Sequence, residues 1–137
     1  MGKINHLAVL VSVVLHQALG FVWYSAAPWA AGRLAALGRP ATDAAAVDPA
    51  GLAADIIGWI AASYVIAWLV RKANATTMAG GMLIGCVLWL GIGLPALVPH
   101  YIFAGIRPVV TVIDGANILV ACLITGAIMG RWSGGAR

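Results

Sequence analysis

The chain has 137 residues, of which 63% are hydrophobic and 9% charged, with a formal net charge of +4. Soluble domains carry about 25% charged residues, and one domain of this length cannot hide so large an apolar fraction in its own core, which argues against a water-soluble fold. The positive balance does not make a nucleic-acid surface either. The Lys and Arg residues stand between apolar runs rather than along one stripe, where lipid headgroups would meet them.

Four apolar runs cover residues 4–25, 49–70, 78–98 and 109–130, with a long connection at 26–48. Each is close to the ~20 residues that cross a ~30 Å hydrocarbon core. Backbone in lipid must satisfy its own hydrogen bonds, so each run is predicted to be a helix. The expected fold is a single all-α integral membrane domain over 1–137, with four transmembrane helices in an antiparallel bundle. The first run is too long for a signal-peptide core of about 7–15 residues. Lys3, Arg71, Lys72, Arg131 and Arg137 fall on one side, and Arg33, Arg39 and Arg107, offset by Asp43 and Asp48, on the other. This asymmetry predicts that both termini are cytoplasmic.

In the first predicted helix, Asn5, Val9, Ser12, His16, Gly20 and Trp23 share one face. Ser12 and His16 are expected at mid-membrane, turned into the bundle because lipid contact is costly for them. Trp23 and Tyr24 follow at the interface, joined by Trp29 from the connection. Pro28 can open and Gly38 close a short interfacial helix there, with Trp29, Arg33, Leu34 and Leu37 on one side. Asp48-Pro49 is a helix start, Asp as cap and Pro in the first turn. The second helix carries Asp55 and ends on Arg71-Lys72, which suits its C-terminal dipole. The tight turn after it predicts an antiparallel hairpin with the third helix, capped by Thr76 or Thr77.

Gly81 and Gly85 in the third helix, and Gly126 and Gly130 in the fourth, are small-xxx-small pairs that allow close backbone approach. Pro95 removes a helical hydrogen bond and clashes with the carbonyl of Gly91, so a kink or loosened turn is expected. A loop carrying His100, Tyr101 and Arg107 should follow. Cys86 and Cys122 lie inside apolar runs without Cys-x-x-Cys spacing and read as small buried hydrophobes.

At ~1.5 Å per residue, Asp55 lies about 9 Å and Asp114 about 7–8 Å inside their helices. Asp55, His100, Tyr101, Arg107, Asp114 and Asn117 are therefore expected in one polar layer, level with Trp23, Tyr24 and Trp29. A charge at membrane depth costs several kcal/mol, so Asp114 must pair, protonate or meet water. Arg107, just across Pro108, is the expected partner, and Asp55 should share it or bond Tyr101 or His100. Such a layer could lock the helices, relay a proton or cation, or anchor an amphiphilic ligand. His6, His16 and His100 show no i,i+4 pair, so no metal site is expected. No phosphate loop, serine elbow or haem-attachment motif is present, so neither an enzyme nor a cofactor is expected. The six Trp residues read as packing and interfacial belt rather than a pigment site.

Several motifs resemble a bacterial family of small four-helix membrane proteins, domain of unknown function 1761. They are Ile4-Asn5, Gly20-Phe21-Val22-Trp23-Tyr24-Ser25, Leu88-Trp89-Leu90-Gly91, Tyr101-Ile102-Phe103-Ala104-Gly105-Ile106-Arg107-Pro108, Ile113-Asp114-Gly115, and Gly126-Ala127-Ile128-Met129-Gly130-Arg131-Trp132. They span nearly the whole chain in order. The resemblance implies four helices and an inner-membrane location, makes Trp23-Tyr24-Ser25, Arg107 and Asp114 family features, and implies no activity. The family pattern places Pro directly after Trp-Tyr-Ser, where this chain has Ala26-Ala27-Pro28, and its connection at 26–48 is Ala-rich rather than charged. The expected role is a structural or accessory component in the lipid bilayer, as a homo-oligomer or within a larger membrane complex. A minimal oligomeric transporter or channel, and a binder of an amphiphilic molecule or lipid, are the alternatives.

Overall fold

The computed structural model describes residues 4–133; Lys3 and Arg137, two of the charges that set the expected orientation, lie outside the described residues. Among the described residues the ordered elements are all helical. Helix α1 (His6–Phe21) starts where the Asn5 side chain accepts from the N–H groups of Leu7 and Ala8. It runs on through one π-helical turn, Val22–Ala26, in which the Ser25 hydroxyl donates to the Phe21 carbonyl. Helix α2 (Ala30–Ala36) is the short helix expected in the long connection. It ends at Gly38, whose φ of +70° suits a residue without Cβ. A 3₁₀ turn, Ala41–Ala45, leads to α3 (Pro49–Lys72), capped by Asp48 with Pro49 in its first turn. After the turn at Asn74, Thr77 accepts from Gly80 N–H at 3.0 Å and starts α4 (Met78–Leu88). A second π-helical turn, Trp89–Gly93, joins α4 to α5 (Leu94–Phe103), and α6 (Pro108–Ser133) closes the chain.

Four stretches are long and apolar enough to cross a membrane: His6–Ala26, Pro49–Lys72, Met78–Phe103 and Pro108–Trp132. The third is longer than its sequence suggests. His100 and Tyr101 were expected in a loop, yet they stand on α5, and the connection to α6 is only residues 104–107. The π-turn explains this. Leu94 N–H reaches the Trp89 carbonyl, widening the helix by one residue just before Pro95. Pro95 then falls in the first turn of α5, and Pro99 lies inside the same helix.

Helix α6 is the hub, touching α1, α2, α3, α4 and α5. The tight turn keeps α3 and α4 in contact, but α4 packs chiefly on α6 rather than pairing mainly with α3 as a hairpin. Glycine is the reason. A Cβ on Gly81 would stand 1.8 Å from the Gly126 carbonyl oxygen, and one on Gly126 would stand 2.2 Å from that of Gly81. Gly85 meets the Cys122 carbonyl and Gly130 the Thr77 carbonyl just as closely. The two backbones touch with no side chain between them, the geometry that small-residue pairs permit. On its other side, α6 adds Met129 to a buried cluster with Ala8 and Val9 of α1 and Ile66, Ala67 and Val70 of α3.

Candidate functional site

Two polar clusters lie along the other face of α6 and its neighbours. The first is centred on Asp114, almost two turns into α6, whose side chain is 5% exposed. Arg33 Nε donates to Oδ1 at 2.6 Å and Nη2 to Oδ2 at 2.9 Å, a two-pronged contact. The Tyr101 hydroxyl donates to Oδ2 at 2.9 Å. The guanidinium lies over the Tyr24 ring, 4.5 Å from its centroid, an attractive placement for a cation. Burial of Arg33 works against its charge, but the hydrogen bond and negative charge of Asp114 hold its pKa above the ordinary value. The cluster ties together four elements: the π-turn after α1, α2, α5 and α6. Indole contacts brace the same level. Trp23 Nε1 donates to the Ile113 carbonyl at 3.1 Å with its ring edge-on to Trp29, and Trp89 Nε1 donates to the Gly115 carbonyl at 2.8 Å.

Arg107 is therefore not the partner of Asp114. It is exposed, and its side chain makes no hydrogen bond or ion pair among the described residues. Seven residues of helix separate the two by about 10 Å along the axis, whereas α2 folds back over the end of α6 and brings Arg33 directly to the carboxylate. His100 is also exposed, its ring in a tilted contact with Tyr101 at 6.2 Å. Sequence reasoning treated Arg33 as surface charge. The available signal was its position beside Leu34, the buried anchor of α2, on the side of that helix already expected to be apolar.

The second cluster holds Asp55, which neither shares an arginine nor bonds Tyr101 or His100. His16 Nε2 lies 3.1 and 3.3 Å from its two oxygens, and Gln17 Nε2 donates to Oδ2 at 2.8 Å. The His16 ring stacks on Trp59, with centroids 4.0 Å apart and planes 9° from parallel. Only one partner in this pair is buried: His16 is 8% exposed, Asp55 51%. So His16 belongs with Asp55, and Ser12, one turn along α1, donates its hydroxyl to the Ala8 carbonyl at 2.8 Å. Asn117, three residues after Asp114 on α6, is buried, and its Nδ2 has no partner among the described residues. Chemically the two sites differ. Three donors on two oxygens satisfy Asp114 within the protein. The His16–Asp55 pair is partly open, with the ring buried and the carboxylate half exposed. Among the described residues no three His, Cys, Asp or Glu side chains are grouped to hold a metal ion.

The family model described as "Protein of unknown function (DUF1761)" matches residues 7–130. The chain belongs to this family. No curated protein and no solved structure matches it. In this DUF1761 chain every member of both clusters, from His16 to Asp114, lies within the matched segment.

Proposed function

We propose that this DUF1761 chain is a multi-pass protein of the bacterial inner membrane with both termini cytoplasmic. Its role on this reading is structural or accessory, joining a second copy or a larger membrane complex. The apolar outer surface supports membrane insertion. Phe21, Ile57, Leu83, Leu90, Ile92, Phe103 and Val112 are exposed on the long helices, a surface that lipid tolerates and water does not. Arg71, Lys72 and Arg131 at one end, against Arg33, Arg39 and Arg107 at the other, support the orientation, although Arg33 is engaged internally.

The observation that carries the accessory reading is the Asp114 cluster. The most deeply buried carboxylate uses both oxygens to hold α2 and α5 onto α6, so it works as a lock between elements rather than as an open binding group. The stretch Met78–Phe103 is the least covered of the four, with 11% of its most apolar window buried against 50% for Pro108–Trp132, and this supports it as the face that meets a partner. Mild-detergent extraction from native membranes followed by native mass measurement tests the proposal. A stoichiometric hetero-complex or a defined homo-oligomer is expected. A bare monomer in every detergent overturns it, and a retained small mass transfers support to an amphiphile binder.

The His16–Asp55 pair favours a second reading, a minimal oligomeric transporter. Purified protein in vesicles should then show proton-coupled uptake that Asp55→Asn abolishes with the fold intact. Absence of any coupled uptake removes this reading.

A further inference from the structure

We propose that the seam between α1, α3 and α6 binds a short chain of internal water molecules, open toward Asp55 and closed at the other end by an apolar plug. The seam can be built up one helical turn at a time. Its floor is the buried cluster of Ala8, Val9, Ile66, Ala67, Val70 and Met129. One turn away from that floor, Ser12 follows Ala8 on α1, Ser63 precedes Ala67 on α3, and Thr125 precedes Met129 on α6. All three hydroxyls are buried, Ser63 at 0% and Thr125 at 1% exposure. Another turn brings His16, Trp59 and Ala121, and the next brings Asp55 and Asn117.

Five buried atoms along these turns have no hydrogen-bond partner among the described residues: His16 Nδ1, Trp59 Nε1, Ser63 Oγ, Asn117 Nδ2 and Thr125 Oγ1. A helical hydroxyl usually returns to the carbonyl one turn back, as Ser12 does to Ala8; Ser63 and Thr125 do not. Leaving such groups unbonded is destabilising. Their gathering on the facing sides of three helices, above an apolar floor, marks a place built for a small polar ligand. The set contains indole and amide donors, a ring nitrogen, and hydroxyls that both donate and accept. Water matches it, since a buried water typically makes about three hydrogen bonds to such groups. The small side chains of Ser12, Ser63 and Ala121 stand beside these groups. Asp55, half exposed and bonded to His16, is the entrance. The inference is independent of the accessory role, because hydration of the seam needs neither a partner nor transport.

The test uses the full chain in lipid nanodiscs with ¹⁵N-labelled indoles, the Trp59 resonance assigned through Trp59→Phe. Trp89 Nε1–H, bonded to the Gly115 carbonyl, is the internal reference. The Trp59 indole proton should show a direct water cross-peak and exchange at least about 10-fold faster than that of Trp89. Ser63→Ala with Thr125→Val should slow that exchange several-fold and lower Tm. Exchange at Trp59 as slow as at Trp89 overturns the proposal. So does a rise in Tm in the double variant, because removing dry, unbonded hydroxyls stabilises a core. Proteoliposomes given an acid jump should leak protons no faster than empty vesicles; a faster leak overturns the closed end.

Discussion

The two faces of α6 hold their neighbours by opposite means. Toward α4, glycines bring backbone against backbone, and carbonyl oxygens occupy the space where a Cβ would stand. Toward α1, α2 and α3, α6 presents Asp114, bonded by Arg33 of α2, the buried Asn117 and Thr125, and Met129, packed among apolar residues of α1 and α3. The glycine face tolerates no added atom. On the polar face, Asp114 depends on its hydrogen-bonding partners. The difference teaches that this small chain joins a closely packed pair, α4 on α6, to helices held by an apolar cluster and by the ion pair of Arg33 with Asp114.

The comparison breaks most easily at the glycine face. Gly81→Val should have the largest effect, a loss on the order of 4 kcal/mol or more in detergent unfolding, because backbone cannot yield to the new side chain. Gly91→Ala, where nothing lies within 4 Å of the added carbon, is the control and should be nearly silent. On the polar face, Arg33→Ala should cost about 3 kcal/mol by leaving Asp114 buried and unpaired. Asp114→Ala in the same chain should add far less than it costs alone, and a strictly additive double-mutant cycle would remove the lock. Tyr101→Phe deletes one hydrogen bond to a charged oxygen and should cost about 1.5–2 kcal/mol. Thr77→Ala removes the cap of α4 and should cost about 1 kcal/mol, read as a lowered unfolding midpoint. Arg107→Ala should change stability by less than about 0.5 kcal/mol, the smallest effect expected on the polar side. A loss comparable to that of Arg33→Ala would restore Arg107 as the partner of Asp114.

Much of the local structure was legible because it depends on neighbours in the chain. Asp48 and Thr77 cap the helices that follow them, Gly38 closes α2, and the Gly91–Pro95 stretch loosens the third span, all through contacts within a few residues; Asn5, expected on the inner face of the first helix, is instead its cap. The glycine pairs were legible for a related reason: small residues at helical spacing state that a face is thin, even before the partner is known. The candidate site was legible in its residue types and less so in its pairings. Asp114, Tyr101 and Tyr24 meet at one level, but the cation among them comes from α2, 81 residues before Asp114. Asp55 finds His16 rather than His100, because α1 and α3 pack side by side while His100 stays exposed on α5.

The sequence by itself determined that the chain is helical, that four stretches are long and apolar enough to cross a membrane, where those helices begin, and which faces can approach closely. Those properties follow from composition, periodicity and capping, which act within one or two turns. Only the tertiary structure decided which arginine neutralises Asp114, which histidine holds Asp55, and which hydroxyls share the seam between α1, α3 and α6. Such pairings depend on how far and at what angle distant segments fold back, and no spacing along the chain encodes that distance.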